Sequence, residues 1–374
     1  MYDFEAWIES HRQEHLNLLQ TLAQIPAPSN REEKRAEFIL YLLHAWGGTD
    51  AYIDNELNVI LPLGVTEENP LAVFAAHSDV VFPDTDPLPL RVENNRIFCP
   101  GAGDDTASVC TLLMAAKYLL EQQLQPKDLG VLLVIDSGEE GLGNLKGIRH
   151  LFDIFGHRIR EFISIDGGEC RCVNRAVGSK RYRIAIDTEG GHSYGAFGNR
   201  NAIAYLASLI DSLYTIKVPP IGRTTYNVGT ISGGTSVNTI AQHAEMLYEF
   251  RSDEAAALDI MEQHLNAALD YYRSKGVEVT CELVGDRPCS GSLDMDKMSA
   301  MIQRASEATQ RRYGRDLVFS SGSTDCNIPL SLGVPAMCLG CYRGFGAHTR
   351  EEYVEIDSLE PGMRFVFDLI LHHF

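Results

Sequence analysis

The stretch Leu71-Ala72-Val73-Phe74-Ala75-Ala76-His77-Ser78-Asp79 decides the fold. Its unbroken apolar run is too short for a helix and reads as a strand buried on both faces of a sheet. It ends on an imidazole and a carboxylate. Two further runs repeat the design. Gly130-Val131-Leu132-Leu133-Val134-Ile135 leads into Ser137-Gly138-Glu139-Glu140-Gly141, and Glu161-Phe162-Ile163-Ser164-Ile165 leads into Asp166. Helical apolar spacing over 36–46 and 106–120 alternates with these strands, so the expected class is α/β, a layered and mostly parallel sheet. In such sheets functional groups gather beyond the carboxyl ends of the strands, where His77, Glu139 with Glu140, and Asp166 all stand.

The pattern changes after about Arg175. In Arg181-Tyr182-Arg183-Ile184-Ala185-Ile186-Asp187 apolar and polar residues largely alternate, the mark of a half-exposed antiparallel strand. A helix over 202–214, strands over 226–231 and 244–250, a helix over 255–272 and a strand over 277–283 follow. That β-α-β-β-α-β order is ferredoxin-like. The expected domains are 1–177 with 288–374, and an inserted α+β domain over 178–287. Helix and strand signals of the first kind return over 297–313, 317–319, 334–339 and 358–372.

The chain of 374 residues is long enough for two domains, and its net charge of −19 repels phosphate backbones. Nucleic acid is therefore not an expected partner. No apolar stretch approaches the ~20 residues that span a bilayer, and the acidic start does not read as a signal peptide, so no membrane is expected. The nine cysteines, odd in number and scattered, fit reduced thiols and a cytoplasmic location. The lone Cys338-Leu339-Gly340-Cys341 reads as structural.

Each acidic or imidazole segment has a bland reading by itself. His77 fits a satisfied core histidine, Asp104-Asp105 a helix cap, and Glu139-Glu140 a solvated loop. Their joint occurrence points to metal. Residues i and i+2 of an extended chain share a side, so Asp79 is placed to orient His77 while the other ring nitrogen binds an ion. Adjacent acids beside a buried strand repel unless a cation neutralises one. Asp104 reads as a carboxylate bridging two ions, and Asp166 and His348 complete the donor set.

In this order the segments resemble the M20 family of metallopeptidases, over essentially the whole chain. The family includes tripeptidases, dipeptidases, carboxypeptidases and N-acyl-amino-acid deacylases. The resemblance implies a zinc-peptidase-type catalytic domain with an inserted lid and dimerisation domain. It implies that His77 and Asp166 hold one ion, that Glu140 and His348 hold the other, and that Asp104 bridges. Glu139 would be the general base and Asp79 would orient His77. Arg251 and Asn238 look like lid residues that hold a substrate carboxylate, and His192 resembles a lid histidine acting across a homodimer. Two residues past the bridging Asp the family often has Lys or Gly, with Gly two further on; here Thr106 and Ser108 stand there.

The expected activity is thus hydrolysis of an amide near a free carboxylate in a small peptide, with N-acyl-amino-acid deacylation as the alternative. The mixed imidazole and carboxylate donors favour two Zn2+ ions, with Co2+ or Mn2+ as substitutes. Two rivals remain. Gly191-His192-Ser193-Tyr194-Gly195 matches the GxSxG nucleophile elbow of serine hydrolases, with Asp325 and His348 following in chain order. That elbow needs a buried parallel strand before it, whereas the strand here alternates. A metal-bound scaffold protein has no use for a base at Glu139.

Overall fold

The computed structural model describes residues 4–374, and the chain divides into two compact units, Met1–Ala176 with Gly291–Phe374, and Val177–Ser290. The first is built on an eight-stranded sheet. Its strand order is Tyr52–Ile53, Val59–Leu63, Gly130–Asp136, Leu71–His77, Ile159–Ile165, Ala336–Leu339, Arg171–Ala176 and Val318–Gly322. The four strands from Gly130–Asp136 to Ala336–Leu339 run parallel to their neighbours within that set, and antiparallel pairs flank them.

Successive residues of the buried strands supply two different cores, as the two-residue period of a strand requires. Ala72, Phe74 and Ala76 pack on one face with Leu133, Ile135 and Ile163, under helices Phe4–Ala23, Ser108–Glu121, Met295–Tyr313 and Ile356–Ile370. Leu71, Val73 and Ala75 pack on the other face with Leu132, Val134 and Phe162, under Lys146–Phe155 and Asn327–Ser331. The unit is a three-layer α/β/α sandwich, which explains why these strands are apolar on both sides.

The second unit is a four-stranded antiparallel sheet in the order Thr224–Gly233, His243–Ser252, Gly178–Asp187 and Glu278–Arg287. Helices Ala202–Leu213 and Ala255–Ser274 cover one face. Tyr182, Ile184 and Ile186 join Met246, Tyr248, Phe250, Leu209 and Leu265 in its core. The connectivity is the ferredoxin-like order expected. All nine cysteines are free thiols. No helix among the described residues is long and apolar enough to cross a membrane.

Candidate metal centre

Strand register brings the donors together. His77 is the last residue of its strand and stands level with Asp136, the last residue of Gly130–Asp136. On the other side Ala75 is level with Ser164, so Asp166, two residues on, reaches the height of His77. Glu139 and Glu140 follow Asp136 in a tight loop in which Gly138 and Gly141 take positive φ. Asp104 lies in an irregular helical turn, Ala102–Ala107, ahead of helix Ser108–Glu121. His348 sits in the loop between short strands Gly344–Phe345 and Tyr353–Glu355, at φ 66.

The two imidazoles flank one carboxylate. His77 Nε2 is 3.2 Å from Asp104 Oδ1, and His348 Nε2 is 3.1 Å from Asp104 Oδ2. His348 Nε2 is also 2.9 Å from Glu140 Oε1. Two three-residue groups bring a donor atom from each member within 4.8 Å of the others: His77, Asp104 and Glu140, and His77, Asp105 and Asp166. Asp105 was not expected there; as the second of two adjacent acids at a helix start it carries no signal beyond capping.

Asp79 does more than the sequence suggested. His77 Nδ1 lies 3.1 Å from the Asp79 main-chain carbonyl and 3.6 Å from its carboxylate. That carboxylate accepts hydrogen bonds from the main-chain N–H of Glu139 at 3.0 Å and of Glu140 at 2.9 Å, and from Ser29 Oγ at 2.6 Å. The carboxylate therefore fixes the two-glutamate loop, while the main-chain carbonyl of the same residue meets the imidazole.

The electrostatics test whether cations fit. Burial raises the Asp166 carboxyl to about 7, and the nearby charge of Asp104 adds to the rise. Burial, then Asp166, pushes Asp105 up. Asp136, level with His77, is pushed to about 8 by burial, and Asp325 rises through burial and then the charge of Asp136. The imidazoles answer this negative field. Asp104 and Glu140 raise His348 to about 10; burial opposes a charged His77, but Asp104 and Asp79 outweigh it. Buried Asp105 Oδ1 has no hydrogen-bond partner. Ligand atoms ~2.0–2.2 Å from a zinc ion stand roughly 3–3.5 Å apart, which matches the imidazole–carboxylate separations. The cluster has the donors, the spacing and the uncompensated charge that divalent cations suit.

The remaining expected residues lie in the second unit. Gly191–His192 pairs antiparallel with Thr239–Ile240, and Ser193 N donates to the Asn238 carbonyl at 2.9 Å, so His192 and Asn238 share one ribbon. His192 Nδ1 accepts from the main-chain N–H of Tyr194 and Gly195, at 3.3 and 3.2 Å, which leaves the neutral ring's proton on Nε2. Asn238 Oδ1 accepts from Ser236 Oγ. Arg251 forms a bidentate pair with Glu249, at 3.0 and 3.1 Å. It sits opposite Ser179, whereas His243, nearer the ribbon, sits opposite Asp187. Eight residues of strand separate the two ends, about 27 Å. One chain therefore holds Arg251 and Asn238 apart. Ser193 follows a two-residue antiparallel ribbon, not a buried parallel strand, and His348 is engaged by Asp104 and Glu140, so the nucleophile-elbow reading loses its framework.

A three-layer α/β unit with carboxylates and imidazoles converging at its strand ends has the form of a metal-dependent hydrolase. The chain belongs to the peptidase family M20/M25/M40, whose pattern matches residues 73–372. A Mycobacterium tuberculosis protein provisionally named succinyl-diaminopimelate desuccinylase DapE is 26% identical over 361 residues, 93% of this chain and 95% of its own length. A tripeptidase structure from Staphylococcus aureus is similar with a TM-score of 0.75 at 23% identity, covering 96% of this chain and 97% of that one. The dipeptidase Dug1p of Saccharomyces cerevisiae has a TM-score of 0.76 at 16% identity, covering 98% and 97%. At these identities the structural likeness establishes the fold.

Proposed function

We propose that the chain is a metallo-exopeptidase that cleaves an amide bond next to a free carboxylate in a small peptide. The observation that carries this reading is Asp104, with an imidazole on each carboxylate oxygen. His77 and Asp166 would hold one divalent ion, Glu140 and His348 the other, and Asp104 would span both; Asp105 is within reach of the first. Zn2+ suits these donors best, and Co2+ or Mn2+ are the substitutes. When bound, the ions would polarise the scissile carbonyl and acidify water. Glu139 then takes the water proton and hands it to the leaving amine. Asp79 holds that base in place through the main-chain amides of its loop.

In the inserted unit Arg251 suits the substrate carboxylate because its guanidinium fork bonds both oxygens, and Glu249 pre-orients it. His192, with its proton on Nε2, is a donor suited to a developing oxyanion. A homodimer through the inserted units accounts for Arg251 and Asn238 standing far apart in one chain, since each copy would then supply a part the other lacks. A cytoplasmic setting fits the nine free thiols.

N-acyl-amino-acid deacylation is the second reading, favoured by the desuccinylase names among the relatives. A mass-spectrometric screen of di- and tripeptides, N-acetyl and N-succinyl amino acids, with Zn2+, Co2+ and Mn2+, chooses between them. Tripeptide or dipeptide turnover supports the exopeptidase, and turnover confined to acyl amino acids supports the deacylase. Chelator dialysis should abolish hydrolysis and Zn2+ or Co2+ should restore it. Full activity in metal-free protein overturns both.

A further inference from the structure

Glu352 lies four residues after His348, is 2% exposed, and makes no ion pair with a Lys or Arg among the described residues. A buried carboxylate is costly unless hydrogen bonds satisfy it. Here main-chain N–H groups do so. Gly101 N donates to Oε2 at 2.7 Å, and Gly103 N and Asp104 N donate to Oε1 at 2.9 and 2.8 Å. All three donors belong to the loop that delivers Asp104. Gly101 takes φ 74, and a Cβ at Gly103 would meet the Tyr342 ring at 2.8 Å and Glu352 Oε1 at 2.9 Å. The glycine spacing of Gly101-Ala102-Gly103 is thus what lets the carboxylate seat against the loop.

The main chain of Glu352 ties in the other direction. Its N–H donates to the Thr349 carbonyl, closing the turn after His348, and its carbonyl accepts from Cys99 N. One residue therefore joins the loop of Asp104 to the loop of His348, whose side chains stand 3.1 Å apart.

We propose that Glu352 is a positioning residue that fixes Asp104 relative to His348 and so sets the affinity of the centre for its ions. The proposal rests on reading Asp104 and His348 as metal ligands. Glu352→Gln keeps the size but turns an N–H donor toward the loop's own N–H groups. Glu352→Asp keeps the charge but is one methylene too short to hold all three bonds.

The test titrates metal-free protein with Zn2+ and Co2+, following heat and the visible absorption of bound Co2+, with melting temperature and kcat measured alongside. Loss of an outer partner of a metal ligand typically costs about 10–100-fold in affinity. Glu352→Gln should lose that much for at least one ion, with an altered Co2+ spectrum and kcat falling more than KM rises. Glu352→Asp should lie between it and the wild type. Asp368→Asn, which breaks the Arg312 pair on helix Ile356–Ile370, controls for general destabilisation and should keep wild-type affinity. Wild-type affinity and spectrum in Glu352→Gln overturn the proposal, as does an equal affinity loss in Asp368→Asn at a matched melting temperature. If Glu352→Gln does not fold, Glu352→Asp carries the same outcomes. A wild-type chain that binds no divalent ion overturns the ligand reading itself.

Discussion

Glu139 and Glu140 are neighbours in sequence, both buried in one loop. Glu140 contacts His348 at 2.9 Å, while both main-chain amides hang on Asp79. Glu139→Gln should keep the metal content of the wild type and lose ~10²–10⁴-fold in turnover, the usual contribution of a positioned base. Glu140→Gln should lose metal instead. Metal analysis beside kcat decides it, and a Glu139→Gln protein that stays active while shedding metal would exchange the two roles. His77 and Glu140 stood out in the sequence because they follow buried strands, whereas Asp104 at a helix start and His348 in a loop signalled metal only jointly with them. Asp105 was not legible, since the bridging role read at this helix start went to Asp104 and left its neighbour only the capping reading. Glu352 was hidden because its partners are main-chain N–H groups of a loop some 250 residues earlier, and a sequence does not display main-chain donors.

Elements were legible where the core uses both faces. The three apolar runs became Leu71–His77, Gly130–Asp136 and Ile159–Ile165, because burial on both sides leaves no room for polar residues. The small sheet of Arg91–Glu93, Arg96–Phe98, Tyr353–Glu355 and Gly344–Phe345 escaped, since strands this short carry no period. Helix Phe4–Ala23 escaped too. Its polar residues include His15, which is buried against Thr111. Burial lowers the His15 pKa from about 6.5 to about 4. The unfolded chain therefore binds a proton that the folded chain refuses in that window, and stability falls as pH drops from 6.5 toward 4. Between pH 7 and pH 5 this one group should remove roughly 2 kcal/mol. Urea unfolding of metal-free protein at the two pH values should show a smaller pH effect in His15→Met than in the wild type. An identical pH effect in both would mean that His15 is protonated in the folded state.

At the scale of the molecule, each unit has its own core, and the inserted unit ends its sheet on strand Thr224–Gly233. That strand pairs on one side only and exposes Ile231, a free edge of the kind a second chain can cover. The ribbon bearing His192 and Asn238 extends past the opposite end of the sheet from Arg251, with Tyr194 and Phe197 almost fully exposed beside it. Exposed aromatics beside a ribbon of polar donors would suit a site shared between two copies. If His192 of one copy serves the base of the other, His192→Ala and Glu139→Ala homodimers should each be nearly inactive. After unfolding, mixing and refolding, a heterodimer has one site that lacks both groups and one site that has both. Activity should return to roughly a quarter of wild type, since random pairing makes half the dimers mixed and each carries one good site. Native mass spectrometry confirms that mixed dimers form. A mixture that stays dead while mixed dimers are present would place the action of His192 within its own chain, or remove it from the reaction.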